Sequence, residues 1–170
     1  PGDWYFIQFS PTSDDASCLL DHCVIRYGGY SGGSPDCGNI YCEEASPTIS
    51  NCEISYSEYN GIHIVNGGPA ITSNIIRENA RDGIYGAGSA TTVSNNTISY
   101  NGNHGIDAPG NIELSNNTFI GNSQYGIQIY GMYIPQVLSG NTGSGNGYNG
   151  IGLHGTVTSN STLPAVNPGF

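Results

Sequence analysis

The chain contains no lysine, and its only cations are Arg26, Arg77 and Arg81, set against 13 acidic residues for a formal net charge of −10. Nucleic acid and anionic membrane surfaces both require clustered Lys/Arg, so neither is expected as a partner. There is no apolar run long enough to span a bilayer and no signal-peptide pattern, which excludes membrane insertion by a helix. No C-x-x-C pair and no Cys/His zinc spacing occurs, and no metal or other cofactor is expected. Charged residues make up only 9% of the chain, so its acidity reads as solubility rather than as a calcium site. The chain opens Pro1-Gly2-Asp3 without methionine and is expected to be a processed protein or a piece of a longer one.

What is abundant is glycine, 26 in 170 residues, and it recurs with a period. A Gly-Ile pair appears at Gly61-Ile62, Gly83-Ile84, Gly105-Ile106, Gly126-Ile127 and Gly150-Ile151, so the isoleucines step by 22, 22, 21 and 24 residues. Cys52, Asn74, Asn96, Asn117 and Asn141 each lie ten residues before their isoleucine. Three residues before that column stand Ile49, Ile71, Val93, Leu114 and Leu138, and two residues after it stand Ile54, Ile76, Ile98, Phe119 and Gly143. Fixed-phase columns at such a period mark a solenoid whose units bury their apolar side only by stacking. The apolar segments are too short for helices and alternate at period two, as in Ile62-x-Ile64 and Ile127-x-Ile129.

The expected fold is therefore an all-β, single-stranded parallel β-helix of about seven coils forming one domain over residues 1–170. Regular coils span about 4–153, a loop insertion falls at about 28–38, and residues 155–170 form a tail. The Asn column is expected to be a stacked inward ladder, since buried amides and backbone groups must find partners.

Five cysteines crowd the first third of the chain. Cys23 and Cys52 share one ladder position on adjacent coils, where the strand spacing of ~4.8 Å falls within disulfide reach. Cys37 and Cys42 bracket a strand and are the second candidate pair. The Asn-x-Ser/Thr sequons at Asn95, Asn116 and Asn160 are candidate glycosylation sites, and together with the cysteines they point to an extracellular or cell-surface location.

The column just after the isoleucines, Gln8, Tyr41, His63, Tyr85, Asp107 and Gln128, faces outward. Within it Tyr41, His63, Tyr85 and Asp107 are the candidate ligand-binding residues, suited to a sugar chain by aromatic contact and hydrogen bonding; the alternative is an ordinary solvated sheet face. His63 and His104 are expected to be surface residues, away from metal-ligand spacing.

The Trp4…Ile7-x-Phe9 opening, the run His22-Cys23-Val24-Ile25-Arg26-Tyr27-Gly28-Gly29, and repeats such as Ser94-Asn95-Asn96-Thr97-Ile98-Ser99-Tyr100-Asn101 followed by Gly105-Ile106 resemble the right-handed parallel β-helix repeat proteins of the pectate-lyase-like superfamily. The resemblance implies a right-handed coil. It is weak for function, because that superfamily holds lyases, glycosidases, epimerases, adhesins and structural modules. Its lyases use calcium-binding carboxylates with an Arg or Lys base, and its glycosidases use clustered Asp with Gly-His-Gly and Arg-x-Lys elements. Here Asp14-Asp15 is the sole adjacent Asp pair, His104-Gly105 lacks the preceding glycine, and lysine is absent. No catalytic residue is assigned. The leading expectation is a non-catalytic extracellular structural module of a surface or fibre-forming protein, assembling head to tail with copies of itself. A polysaccharide-binding module is the first alternative, and a carbohydrate-active enzyme the second.

Overall fold

A computed structural model describes residues 2–30, 37–88, 90–109, 111–131 and 138–155. Among these residues there are strands and turns but no helix, and every strand pair is parallel. The strands form three sheets. Sheet A takes Ile7–Phe9, Gly38–Glu43, Asn60–Val65, Ile84–Ala87, Ile106–Pro109, Tyr125–Tyr130 and Tyr148–His154 in chain order. Sheet B takes Leu19–Asp21, Thr48–Ser50, Ala70–Thr72, Thr91–Ser94, Ile112–Ser115 and Leu138–Ser139. Sheet C takes Val24–Arg26, Glu53–Ser55, Ile75–Arg77, Thr97–Ser99, Thr118–Ile120 and Thr142–Ser144. The chain runs through B, C and A in each turn, so neighbours in a sheet come from successive coils. Sheet A has seven strands and the others six each, so complete turns are fewer than the seven coils counted from the isoleucines.

The register is the one the columns dictate. Ile7, Ile40, Ile62, Ile84, Ile106, Ile127 and Ile151 pair in one file along sheet A, and those from Ile40 to Ile127 are fully buried. Ile49, Ile71, Val93 and Leu114 form the inward file of sheet B, and Ile54, Ile76, Ile98 and Phe119 that of sheet C.

Two asparagine ladders fill the corners between sheets. In the first, the Oδ1 of each asparagine accepts the backbone N–H of the residue one coil before it: Asn74 from Cys52 at 2.8 Å, Asn96 from Asn74 at 2.8 Å, and Asn117 from Asn96 and Asn141 from Asn117 at 3.0 Å. Each amide Nδ2 in turn donates to a strand carbonyl of the preceding coil, Asn96 to Ile71 at 2.9 Å and Asn117 to Val93 at 2.8 Å. The second ladder, Asn79, Asn101, Asn122 and Asn146, repeats the scheme five residues before each isoleucine, with Asn79 Nδ2 to Asn101 Oδ1 at 3.0 Å and Asn101 Nδ2 to Asn122 Oδ1 at 2.9 Å.

This second ladder explains the glycine of the Gly-Ile pair. A Cβ on Gly83 would stand 2.7 Å from the Gly105 carbonyl oxygen, 2.7 Å from Ile98 Cγ2 and 2.9 Å from the Asn101 amide, so no side chain fits. The residue before the first ladder is fixed differently. Asn51, Ser73, Asn95, Asn116 and Gly140 all have φ between 53° and 68°, the left-handed region that Asn and Gly enter most cheaply. Thus the turn-forming role of asparagine and its ladder role are divided between adjacent residues, as in Asn95-Asn96.

The structure carries its five cysteines as thiols. Cys23 and Cys52 lie on adjacent coils as expected, with the Cys23 N–H donating to Cys52 Sγ at 3.4 Å, so sulfur continues the first ladder at its end. The candidate pairing of Cys37 with Cys42 is corrected. Both flank or belong to the extended strand Gly38–Glu43, whose five-residue separation spans ~16 Å, beyond any disulfide. Burial pushes the Cys42 thiol up to about 12. Asn95 and Asn116 are exposed on neighbouring coils, whereas Asn160, most of the expected loop at 28–38 and all but the first residue of the tail lie outside the described residues.

Candidate functional site

The outward column of sheet A brings Gln8, Tyr41, His63, Tyr85, Asp107 and Gln128 into one in-register file. Stacking of coils makes this file continuous. Ring centroids step 5.5 Å from Phe6 to Tyr41, 5.2 Å from Tyr41 to His63 and 5.2 Å from His63 to Tyr85, with the planes tilted by 55–57°. His63 is only 4% exposed, clasped between the two tyrosines, which corrects its expected surface position. The four candidate ligand residues are therefore contiguous, with Tyr41 and Tyr85 half-buried and presenting their rings.

Beside this file runs a third polar ladder. Asn60 Oδ1 accepts the Asp82 N–H at 3.2 Å, Asp82 Oδ1 accepts the His104 N–H at 2.8 Å, and His104 Nδ1 accepts the Tyr125 N–H at 3.2 Å. Aromatic stacking continues it, His104 on Tyr125 at 6.0 Å and Tyr125 on Tyr148 at 4.7 Å. Asp82 and His104 are thus buried structural members of the coil, and His104, like His63, is not the surface residue expected.

Asp107 closes against this ladder from the neighbouring column. Ligand-type atoms of Asp82, His104 and Asp107 lie within 4.8 Å of one another. Sequence reasoning compared carboxylates only within a column and so missed this cluster, in which Asp107 follows Asp82 by one coil plus three residues. Burial pushes both carboxyls up to about 6, aided at Asp82 by the charge of Asp107 and opposed by the His104 N–H. The Asp107 Oδ1 is sealed from solvent and has no hydrogen-bond partner among the described residues. Tyr130 hydrogen-bonds Tyr85 nearby, and burial pushes its phenol up to about 12.

The trio does not suit a metal ion that needs the imidazole as a ligand. Burial lowers the His104 pKa and keeps the ring neutral, and its Nδ1 lone pair already receives the Tyr125 N–H, so the proton sits on Nε2 and no lone pair remains for coordination. What the cluster offers is acceptor oxygens and a proton.

Cations stand elsewhere. Arg26 and Arg77 bind Glu53 on sheet C at 2.8 and 2.9 Å, and Arg81 lies over the Tyr59 ring at 5.4 Å. No strand of sheet A contains Arg or Lys.

A family model described as a right-handed β-helix region matches residues 7–163. The chain belongs to the right-handed β-helix family. Searches of curated proteins and of solved structures find no match. Membership in the β-helix family fixes the hand of the coil and leaves function to the side chains on its faces.

Proposed function

We propose that this β-helix is a non-catalytic extracellular module whose sheet A face binds a polysaccharide. The observation that carries the reading is the unbroken file Tyr41, His63, Tyr85 and Asp107, an aromatic platform ending in a carboxylate with acceptor oxygens. Rings with a polar neighbour suit the apolar faces and hydroxyl rims of sugars. A repeating platform also matches a repeating ligand. The carboxylate pair favours binding over cleavage: glycoside hydrolysis needs two carboxyls reaching one bond, whereas Asp82 is 4% exposed and committed to the His104 N–H.

Affinity electrophoresis against a panel of soluble plant, fungal and bacterial polysaccharides tests this. Retardation that is lost in Tyr41→Ala and Tyr85→Ala, and kept in Thr97→Ala on sheet C, is the expected result. Equal retardation of all three variants removes the reading. The extracellular setting draws support from the sequons at Asn95 and Asn116, whose residues are exposed.

End-to-end self-association is a companion proposal, favoured by one observation. The outer edge of Tyr148–His154 has no neighbouring strand among the described residues and carries the half-exposed Tyr148 and Leu153. Sedimentation as a monomer over a wide concentration range refutes it.

A further inference from the structure

Building on the glycan-binding reading, we propose that sheet A selects neutral glycans and discriminates against polymers of uronic acids. The argument is one of charge placement. A uronate chain carries a carboxylate on every sugar, and its recognition calls for guanidinium or ammonium partners or for a bridging cation. Along sheet A the charged and titratable side chains other than tyrosine and cysteine are Glu43, His63, Asp107 and His154, none of them permanently cationic. Two of the three arginines are held by Glu53 on sheet C, and Arg81 is stacked on Tyr59 at the corner next to Asp82. A bridging cation would need carboxylate oxygens, and Asp82 has its carboxylate engaged by the His104 N–H and the Asn103 side chain while Asp107 Oδ1 is sealed from solvent.

Meanwhile the aromatic part of the file is followed by a carboxylate that already lacks compensation. Asp107 has its Oδ1 buried with no donor among the described residues, and Asp82 lies within the same 4.8 Å cluster. A further negative charge placed over Tyr85 meets Asp107 one coil away in a half-dry environment, where like charges repel far more strongly than in water. A neutral sugar brings hydroxyl donors instead, which the Asp107 Oδ2 can accept, Oδ1 being sealed. The chain's net charge of −10 adds a long-range repulsion of the same sign.

Isothermal titration at pH 7.5 and low salt, with cellohexaose, xylohexaose and mannohexaose against hexagalacturonate, is the test, run with chelator and again with calcium. The expected result is binding of at least one neutral hexamer and hexagalacturonate weaker by about tenfold or more in both arms. Asp107→Asn, which leaves all three ladders intact, should narrow that gap. In the unaltered protein, added salt should narrow it too, since screening weakens the repulsion. Hexagalacturonate binding as tightly as the neutral hexamers, or needing calcium to do so, overturns the selectivity and leaves the glycan-binding reading standing. No binding of any of the four probes overturns both.

Discussion

Replacing Asn96 by alanine tests how the coil is held together. Its Oδ1 accepts both the Asn74 N–H at 2.8 Å and the Asn74 amide at 3.0 Å, while its Nδ2 donates to Ile71 O at 2.9 Å, Ser94 O at 3.0 Å and Asn117 Oδ1 at 3.0 Å. Asn96 is 1% exposed, so water cannot replace these bonds without opening the stack. Alanine strands the Asn74 N–H and removes a donor from two carbonyls. Ser94 O keeps the Ser73 N–H, so at ~1–3 kcal/mol for each buried group deprived of its partner the Asn74 N–H and the Ile71 carbonyl together lose ~2–6 kcal/mol, a large part of an ordinary domain's stability. The adjacent Asn95 is exposed with φ 58°, and Asn95→Gly keeps the turn, so its effect should be within ~0.5 kcal/mol of zero. Urea unfolding followed by far-UV circular dichroism compares the two. A cost below ~1 kcal/mol for Asn96→Ala, or one equal to that of Asn95→Gly, refutes the ladder as a source of stability.

Other expectations follow from the same packing. Ile84→Asp places a carboxylate at a fully buried position in the sheet A file and should cost several kcal/mol, seen as loss of the cooperative unfolding transition. Gly83→Ala should also destabilise, by the clash with the Gly105 carbonyl oxygen at 2.7 Å, and a melting temperature equal to wild type would contradict the tight coil spacing. Asp82 and Asp107 have folded-state pKa values raised from 3.8 to about 6, so the folded chain binds protons more readily than the unfolded one and their contribution to stability falls as pH climbs through that window. Asp82→Asn keeps the Oδ1 acceptor, as Asn60 does one coil earlier, and should raise stability above pH 6 by up to ~3 kcal/mol while flattening the pH profile; unchanged unfolding midpoints from pH 4 to 7 in both proteins would count against it. If the source glycosylates, Asn95 and Asn116 are too close, one coil of ~5 Å apart, for both to carry a glycan, which intact mass measures.

The fold was legible because its columns are one residue wide and in fixed phase. Gly-Ile, the Asn ten residues earlier and the flanking apolar columns placed the file from Ile7 to Ile151 and the first ladder in register. The second ladder, Asn79, Asn101, Asn122 and Asn146, is as regular and stood five residues before the isoleucines, yet its meaning emerges only when the Gly-Ile glycine is seen pressed against it. The candidate binding file was readable for the same reason as the core, since a column adjacent to an inward one must face out. Its chemistry was not readable. Asp82 and Asp107 occupy different columns, and their encounter depends on a diagonal across coils that a column-by-column reading does not compare. His63 and His104 looked exposed because outward position was equated with solvent access, whereas stacked rings at 5.2–6.0 Å exclude water from the residues between them. Cys37 and Cys42 do bracket a strand by their pattern, but an extended strand holds its ends ~16 Å apart, and Cys42 lies within it.

The most direct test of the central claim is a crystal structure of the chain soaked with whichever neutral hexasaccharide binds best. The account places successive sugar rings along sheet A, over Tyr41 and Tyr85, with a hydroxyl directed to the carboxylate of Asp107. Sugar found on sheet B or sheet C, with the Tyr41–Asp107 file bare, contradicts it.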